Sequence, residues 1–189
     1  MKKDIIEPGA VYHIYNRGNN KENIFKAEEN YRYFLNRASF FLTPYYDIYA
    51  YCLMPNHFHF LLRVKETSEL KVPEPRLPAQ ALSNLFNSYT KSYNKYYTRT
   101  GSLFQEHFHR ERVATEEYFR NIFIYIQNNP VHHGFVTDAK DYLWSSWNEY
   151  LKKDSNFLKM EYPIQIFDGI ETAEYLINAQ KNTILDLEF

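Results

Sequence analysis

Two strand-sized apolar runs separated by a lone Pro-Asn turn constrain this chain more than any other feature. Tyr46 to Met54 and His57 to Lys65 flank Pro55-Asn56, and β-rich runs that meet at a two-residue turn pair as a hairpin. A sheet therefore lies at the centre, and the other elements must pack on it. Ala10 to Tyr15 is a further alternating run rich in Val, Ile and Tyr, read as a strand, with Asn16 to Asn20 a turn by composition. Tyr31, Phe34, Leu35, Ala38, Phe41 and Leu42 fall at helical spacing between Glu28 and Pro44. Leu82, Leu85, Phe86, Tyr89, Tyr93 and Tyr96 mark a second long helix, closed by Thr100-Gly101. His107 to Val113 predicts another strand. Thr115 is placed to cap the next helix, with Glu116 and Glu117 at its positive end, and Pro130 is expected to stop it at about Asn128 or Asn129.

The element order is thus β-α-β-β-α-β-α followed by a helical tail, with short helices around Ser145 to Leu151 and Glu171 to Gln180. It predicts an α+β fold of the ferredoxin-like kind, one mostly antiparallel sheet with helices packed on it. The expected division is a main domain over residues 1–150 and a helical extension over 151–189. Glu66 to Ala79, with Pro73, Pro75 and Pro78, reads as a mobile connection. No apolar run approaches the roughly 20 residues of a membrane-spanning helix. The N-terminal lysines have no apolar stretch behind them, and Cys52 is the only cysteine. Those features point to the cytoplasm.

A net charge of −1 removes the global signature of a nucleic-acid binder, so any such role needs a local patch. One exists: Lys91, Lys95, Arg99, Arg110 and Arg112 lie between Ser88 and Val113, against Glu106 and Glu111. Aromatics reach 19% of the chain, with 18 Tyr and 15 Phe, and some of that surplus is suited to stacking on unpaired bases. Each base or aromatic taken alone also reads as ordinary surface or core.

The most informative segment is MPNHFHFLLR, Met54 to Arg63. Alternation along a strand puts His57 and His59 on one face and Phe58 on the other. Two imidazoles so placed can share a metal and leave positions for a third ligand and for substrate. His107-Phe108-His109 has the same spacing, so spacing alone does not choose between the pairs. Context does: the first opens a strongly apolar strand after a tight turn, whereas the second sits among Glu106, Arg110, Glu111 and Arg112.

MPNHFHFLLR resembles the His-hydrophobic-His motif of single-tyrosine transposases, in particular the REP-associated tyrosine transposases. YHIYNRGNNKENIF (Tyr12 to Phe25), GSLFQEHFHRERV (Gly101 to Val113), YIQNNPVHHGFV (Tyr125 to Val136) and YLWSSWNEY (Tyr142 to Tyr150) resemble further blocks of that family, in the family's order. The resemblance implies a palm-like α+β domain, Mg²⁺ or Mn²⁺ as cofactor, a 5′-phosphotyrosine intermediate, and hairpin-forming single-stranded DNA as substrate. It makes His57 and His59 metal ligands and Tyr125 the nucleophile. Tyr125 lies roughly 110° from the centre of its helix's apolar face at about 100° per residue, a flank position neither in the core nor fully solvated. The family's third ligand lies four residues after the tyrosine, which here is Asn129. Gln127 is the other candidate, but it points nearly opposite Tyr125, and Pro130 biases Asn129 away from helical conformation. Arg17, Arg63, Lys91, Lys95, Arg99, Arg110 and Arg112 are the candidate DNA contacts. A monomer or a homodimer is compatible with all of this. Two other readings stay open: a catalytically silent hairpin-binding regulator, and a metal-dependent nuclease that uses water.

Overall fold

The computed structural model describes residues 6–70 and 78–181. Its centre is a four-stranded antiparallel sheet in the order β2-β3-β1-β4, built from β1 (Val11–Arg17), β2 (Tyr46–Met54), β3 (His57–Val64) and β4 (His109–Val113). The Pro55-Asn56 hairpin stands where the sequence predicts it. β1 runs two residues further than expected, because Asn16 and Arg17 pair with Phe58 and His57 instead of turning.

Helices α1 (Glu28–Leu42) and α2 (Pro78–Tyr96) cover one face of the sheet. Phe58 is the pivot of that layer, packed on Phe34, Phe86 and Phe104 with no exposure. Burying such a ring contributes about 2–3 kcal/mol. Helix α3 (Glu116–His132) lies on the opposite face, and Thr115 caps it by accepting a hydrogen bond from the Tyr118 amide, a contact worth about 1 kcal/mol. The short helices α4 (Trp147–Lys152), α5 (Glu161–Ile166) and α6 (Ile170–Ala179) follow. The sequence predicts α4 and α6 to within two residues; α5, a single short turn interrupted by Pro163, carries no periodic signal.

Two expectations about α3 are corrected. Pro130 does not stop the helix, which continues to His132 with the proline inside it. A proline near a helix C-terminus forfeits one hydrogen bond, and here its own carbonyl is used twice, accepting from the amides of Phe135 and Val136. Nor does Tyr125 lie half-exposed on a flank: it is 2% exposed. The sequence shows one apolar stripe, but α3 is enclosed on two sides, by the sheet in front and by α6 and the turn at Ala139–Asp141 behind. Everything from Ile122 to Pro130 is buried.

Of the Glu66–Ala79 connection, Thr67–Glu69 form a 3-10 turn and Pro78 and Ala79 already belong to α2; Pro73 and Pro75 lie outside the described residues. The tail packs behind α3, where the Ile166 carbonyl accepts from Arg120 and the Phe167 ring packs at a tilt on Phe123. Among the described residues no helix is long and apolar enough to cross a membrane.

Candidate active site

The strand register decides which side chains meet beneath α3. Arg17 pairs with His57 and Tyr15 with both His59 and His109, while His13 pairs with Glu111. Alternation puts all of these on the α3 face of the sheet. The sheet therefore presents a polar face to a helix that carries Tyr125 and Asn129.

His57 and His59 project from this face with ring centroids 5.2 Å apart. Asn129 reaches both: its Oδ1 lies 3.1 Å from His57 Nε2 and its Nδ2 lies 3.5 Å from His59 Nε2. Gln127 points away from them and donates to Ser146 Oγ at 2.7 Å, while Asn128 donates to the Ile177 carbonyl, also at 2.7 Å. Of the two candidates for a third ligand, only Asn129 meets the histidines.

The hydrogen bonds also indicate where the ring protons sit. His57 Nδ1 lies 2.7 Å from Asn56 Oδ1, the shorter of the ring's two contacts with an amide oxygen; with Nδ1–H donating there, Nε2 keeps a lone pair. His59 Nδ1 lies 2.9 Å from His13 Nε2, and with Nδ1–H donating, His59 Nε2 is likewise an acceptor. Burial keeps the rings neutral. It pushes His13 down to about 3 and His57 down to about 4, the latter against an opposing pull from Asn129. His59 is held well below its ordinary value, first by burial and then by the neighbouring histidines. His57 Nε2 lies against Asn129 Oδ1, and His59 Nε2 accepts from Asn129 Nδ2. Two imidazole nitrogens and an amide oxygen gathered in one buried place are ligand types that a divalent metal takes, so the donor set fits one. Among the described residues no group of three His, Cys, Asp or Glu is placed to hold one, and the Asn129 amide is the further polar group that meets both histidines.

Tyr125 stands against this group, its ring 5.5 Å from His59 and 6.3 Å from His13. It lines a cavity of about 310 Å³ together with His57, His59, Arg17, Lys21 and Phe135. Arg17 lines the cavity and its buried Nε has no hydrogen-bond partner, so its guanidinium is not committed to a carboxylate there. Lys21 and its neighbour Asn20 adopt left-handed backbone angles, φ 59° and 53°. Such strain persists only where the surroundings enforce it. Here Gly18 approaches the Glu22 carbonyl so closely that a Cβ would lie 2.1 Å from its oxygen. Tyr89 and Tyr93 donate to the carbonyls of Ile24 and Asn23 at 2.5 and 2.6 Å, and Arg99 grips Glu22.

The remaining basic residues divide by place. Arg110 lines a groove of about 810 Å³ between α2 and β4, which also holds His107 and His109. Lys91 and Lys95 are exposed on α2. Arg63 lies at the far end of β3, tied to Asp47 and Glu69, Arg99 is the clamp just described, and Arg112 pairs with Glu7 at 2.8 Å. Sequence reading missed His13, Lys21, His133 and Phe135. His13 carried a signal, alternation in phase with Tyr15, but only the register with β3 reveals that it meets His59.

A sequence model of the family described as "Transposase IS200 like" matches residues 8–129, a span that contains His57, His59, Tyr125 and Asn129. A Haemophilus influenzae protein provisionally named a REP-associated tyrosine transposase is 27% identical over 118 residues, 58% of this chain. The match covers 63% of that relative, so the chain spans less than two thirds of its length. The solved structure of a REP-associated tyrosine transposase bound to a REP hairpin matches with a TM-score of 0.60 and 17% identity, over 81% of this chain and 85% of that one. At that identity the likeness is one of fold, and it agrees with the helix-covered antiparallel sheet. With a family match over more than half its length, the chain belongs to the IS200-like transposase family.

Proposed function

We propose that this protein cleaves and rejoins single-stranded, hairpin-forming DNA through a covalent 5′-phosphotyrosine at Tyr125. The observation that carries the reading is the meeting of Tyr125, His57, His59 and Asn129 in one buried group beside a cavity that also contains Arg17 and Lys21.

Tyr125 Oη attacks the scissile phosphorus. The bond to O3′ breaks, the phenol proton passes to solvent, and the departing 3′-oxygen takes a proton from water. Because the new phosphodiester keeps the energy of the old one, a second 3′-hydroxyl can displace Tyr125 and restore a continuous strand without ATP. Arg17 and Lys21 hold the phosphate by charge-assisted hydrogen bonds. Asn56 and His13 fix the ring orientations of His57 and His59, and the burial that keeps those rings neutral preserves their Nε2 lone pairs. A divalent ion held by His57, His59 and Asn129 would polarise the phosphate and offset the negative charge that grows during transfer. Two imidazoles beside one amide oxygen favour Mn²⁺ over Mg²⁺, which prefers oxygen throughout. Lys91, Lys95 and Arg110 remain the candidates for backbone contacts outside the cavity, because Arg63, Arg99 and Arg112 are neutralised by carboxylates.

The test is an adduct assay with 5′- and 3′-labelled hairpin oligonucleotides from the flanks of the protein's own gene, in Mn²⁺ or in EDTA. The expected product is a metal-dependent protein–DNA species that survives denaturation and retains only the 3′ label. It should be absent from Tyr125→Phe. Cleavage without an adduct would replace this reading with a water-using nuclease, and tight binding without cleavage with a silent binder.

A further inference from the structure

Phe135 is a large apolar side chain left 53% exposed, and its setting is not that of a loose surface residue. Gly134, at φ +70°, turns the chain back at the end of α3, and the Phe135 amide donates to the Pro130 carbonyl at 2.9 Å. Behind the ring lies Tyr142, edge-on at 6.4 Å, itself buried and anchored by a hydrogen bond from its hydroxyl to the Leu53 carbonyl. The exposed aromatic is therefore held by a fixed turn and a fixed support. It forms one wall of the cavity that Tyr125 and the histidine pair open into, and Arg17 and Lys21 belong to the same lining.

A strand whose phosphate reached Tyr125 between Arg17 and Lys21 would bring a neighbouring unpaired base against that wall. An exposed, pre-ordered ring stacks on a base without paying to be immobilised. We propose that Phe135 is a base-stacking site for the unpaired nucleotide adjoining the scissile phosphate. The ligand is a nucleobase in single-stranded DNA, recognised by its face and not by its edges, so the site orders the strand without reading its sequence. This rests on the reading of the cavity as the place of strand cleavage.

The experiment uses the gene-flanking hairpins with 2-aminopurine at each unpaired position next to the stem, titrated with the parent protein, Phe135→Ala, Phe135→Leu and Phe135→Trp. Quenching of the probe by the parent and by Phe135→Trp is expected, with affinity reduced about five- to 150-fold in Phe135→Ala, the range for losing one base–aromatic stack. Phe135→Leu preserves apolar packing on Tyr142 but not the π-face, so it should bind like Phe135→Ala while unfolding at the parent's temperature. Quenching that is absent in the parent, or equal in parent and Phe135→Ala, would overturn the stacking site. The adduct assay on the same samples separates the two ideas: adduct at saturating DNA without a Phe135 effect leaves the cleavage reading standing alone. Stacking without an adduct in the parent leaves a binding site and removes the cleavage.

Discussion

His57-Phe58-His59 lies on β3, a strand paired on both sides, whereas His107-Phe108-His109 leads into β4 at the open edge of the sheet. The spacing is the same and the outcomes differ. In the first tripeptide the phenylalanine is fully buried, and each histidine has its Nδ1 engaged by a neighbour, so that both Nε2 atoms meet one amide. In the second the phenylalanine is only half-buried. His107 is exposed with Glu106 3.9 Å away, and His109 lies flat on Tyr15 with centroids 4.8 Å apart. Alternation supplies a shared face in both places; on the central strand the neighbours also turn both Nε2 atoms towards one amide. Exposed side chains at an edge must lose rotamer freedom before they can share a ligand.

That contrast can be broken by exchange of function between the two segments. Tyr125→Phe and His57→Ala should each lower the rate of adduct formation by at least about a thousandfold, while His107→Ala and His109→Ala should stay within about tenfold of the parent. Equal losses from His57→Ala and His107→Ala would abolish the distinction.

A sharper version concerns the partner of His59. Replacing His13 with Phe keeps a buried ring but removes the acceptor for His59 Nδ1, and loss of such a partner typically weakens metal binding about 10–100-fold. Calorimetric titration with Mn²⁺ reads this without any turnover. Tyr15→Phe, which removes the hydroxyl bond to Glu111 and keeps the ring, should leave the Mn²⁺ affinity unchanged.

The pH dependence follows from the same burial. His13 and His57 have folded values near 3 and 4, below the ordinary 6.5, so the unfolded chain binds more protons between those limits. Their contribution is complete above pH 6.5 and is lost as pH falls, by up to about 1.4 kcal/mol per unit for each histidine, levelling off below the folded values. Urea unfolding of the metal-free protein between pH 7.5 and 5 should show this decline. The slope should shrink in His13→Phe and persist in His107→Ala. The smallest effect is expected at the edge itself: His109→Ala forfeits the stack on Tyr15, about 0.5–1.5 kcal/mol of stability, and His107→Ala changes it by no more than about 0.5.

Much of this was legible in the residues. The hairpin at Pro55-Asn56, the opposed directions of Phe58 and His59, and the Thr115 cap are local consequences of alternation and turn chemistry, and they stand as predicted. What local pattern cannot carry is depth. Tyr125 looked like a rim residue because its helix shows a single apolar stripe, yet both sides of α3 are covered. Arg63 and Arg99 look like free cations in the sequence, and only the fold supplies Asp47, Glu69 and Glu22. His13 and Phe135 escaped for a similar reason: one owes its place to strand register, the other to a turn made by a single glycine.

Three successive amides at the end of α3 have a consequence for how the nucleophile is aimed. Gln127, Asn128 and Asn129 leave the helix about 100° apart and anchor to Ser146, to the Ile177 carbonyl and to the histidine pair. Apolar surfaces let a helix roll through small angles at little cost, whereas directional bonds index it to one angle. With three buried bonds of about 1 kcal/mol each, α3 cannot roll to carry Tyr125 off its bearing unless all three yield together. The bearing is therefore set partly from outside the cavity, because two of the three anchors, a serine bonded to Tyr51 of β2 and the backbone of α6, are not among the residues that line it.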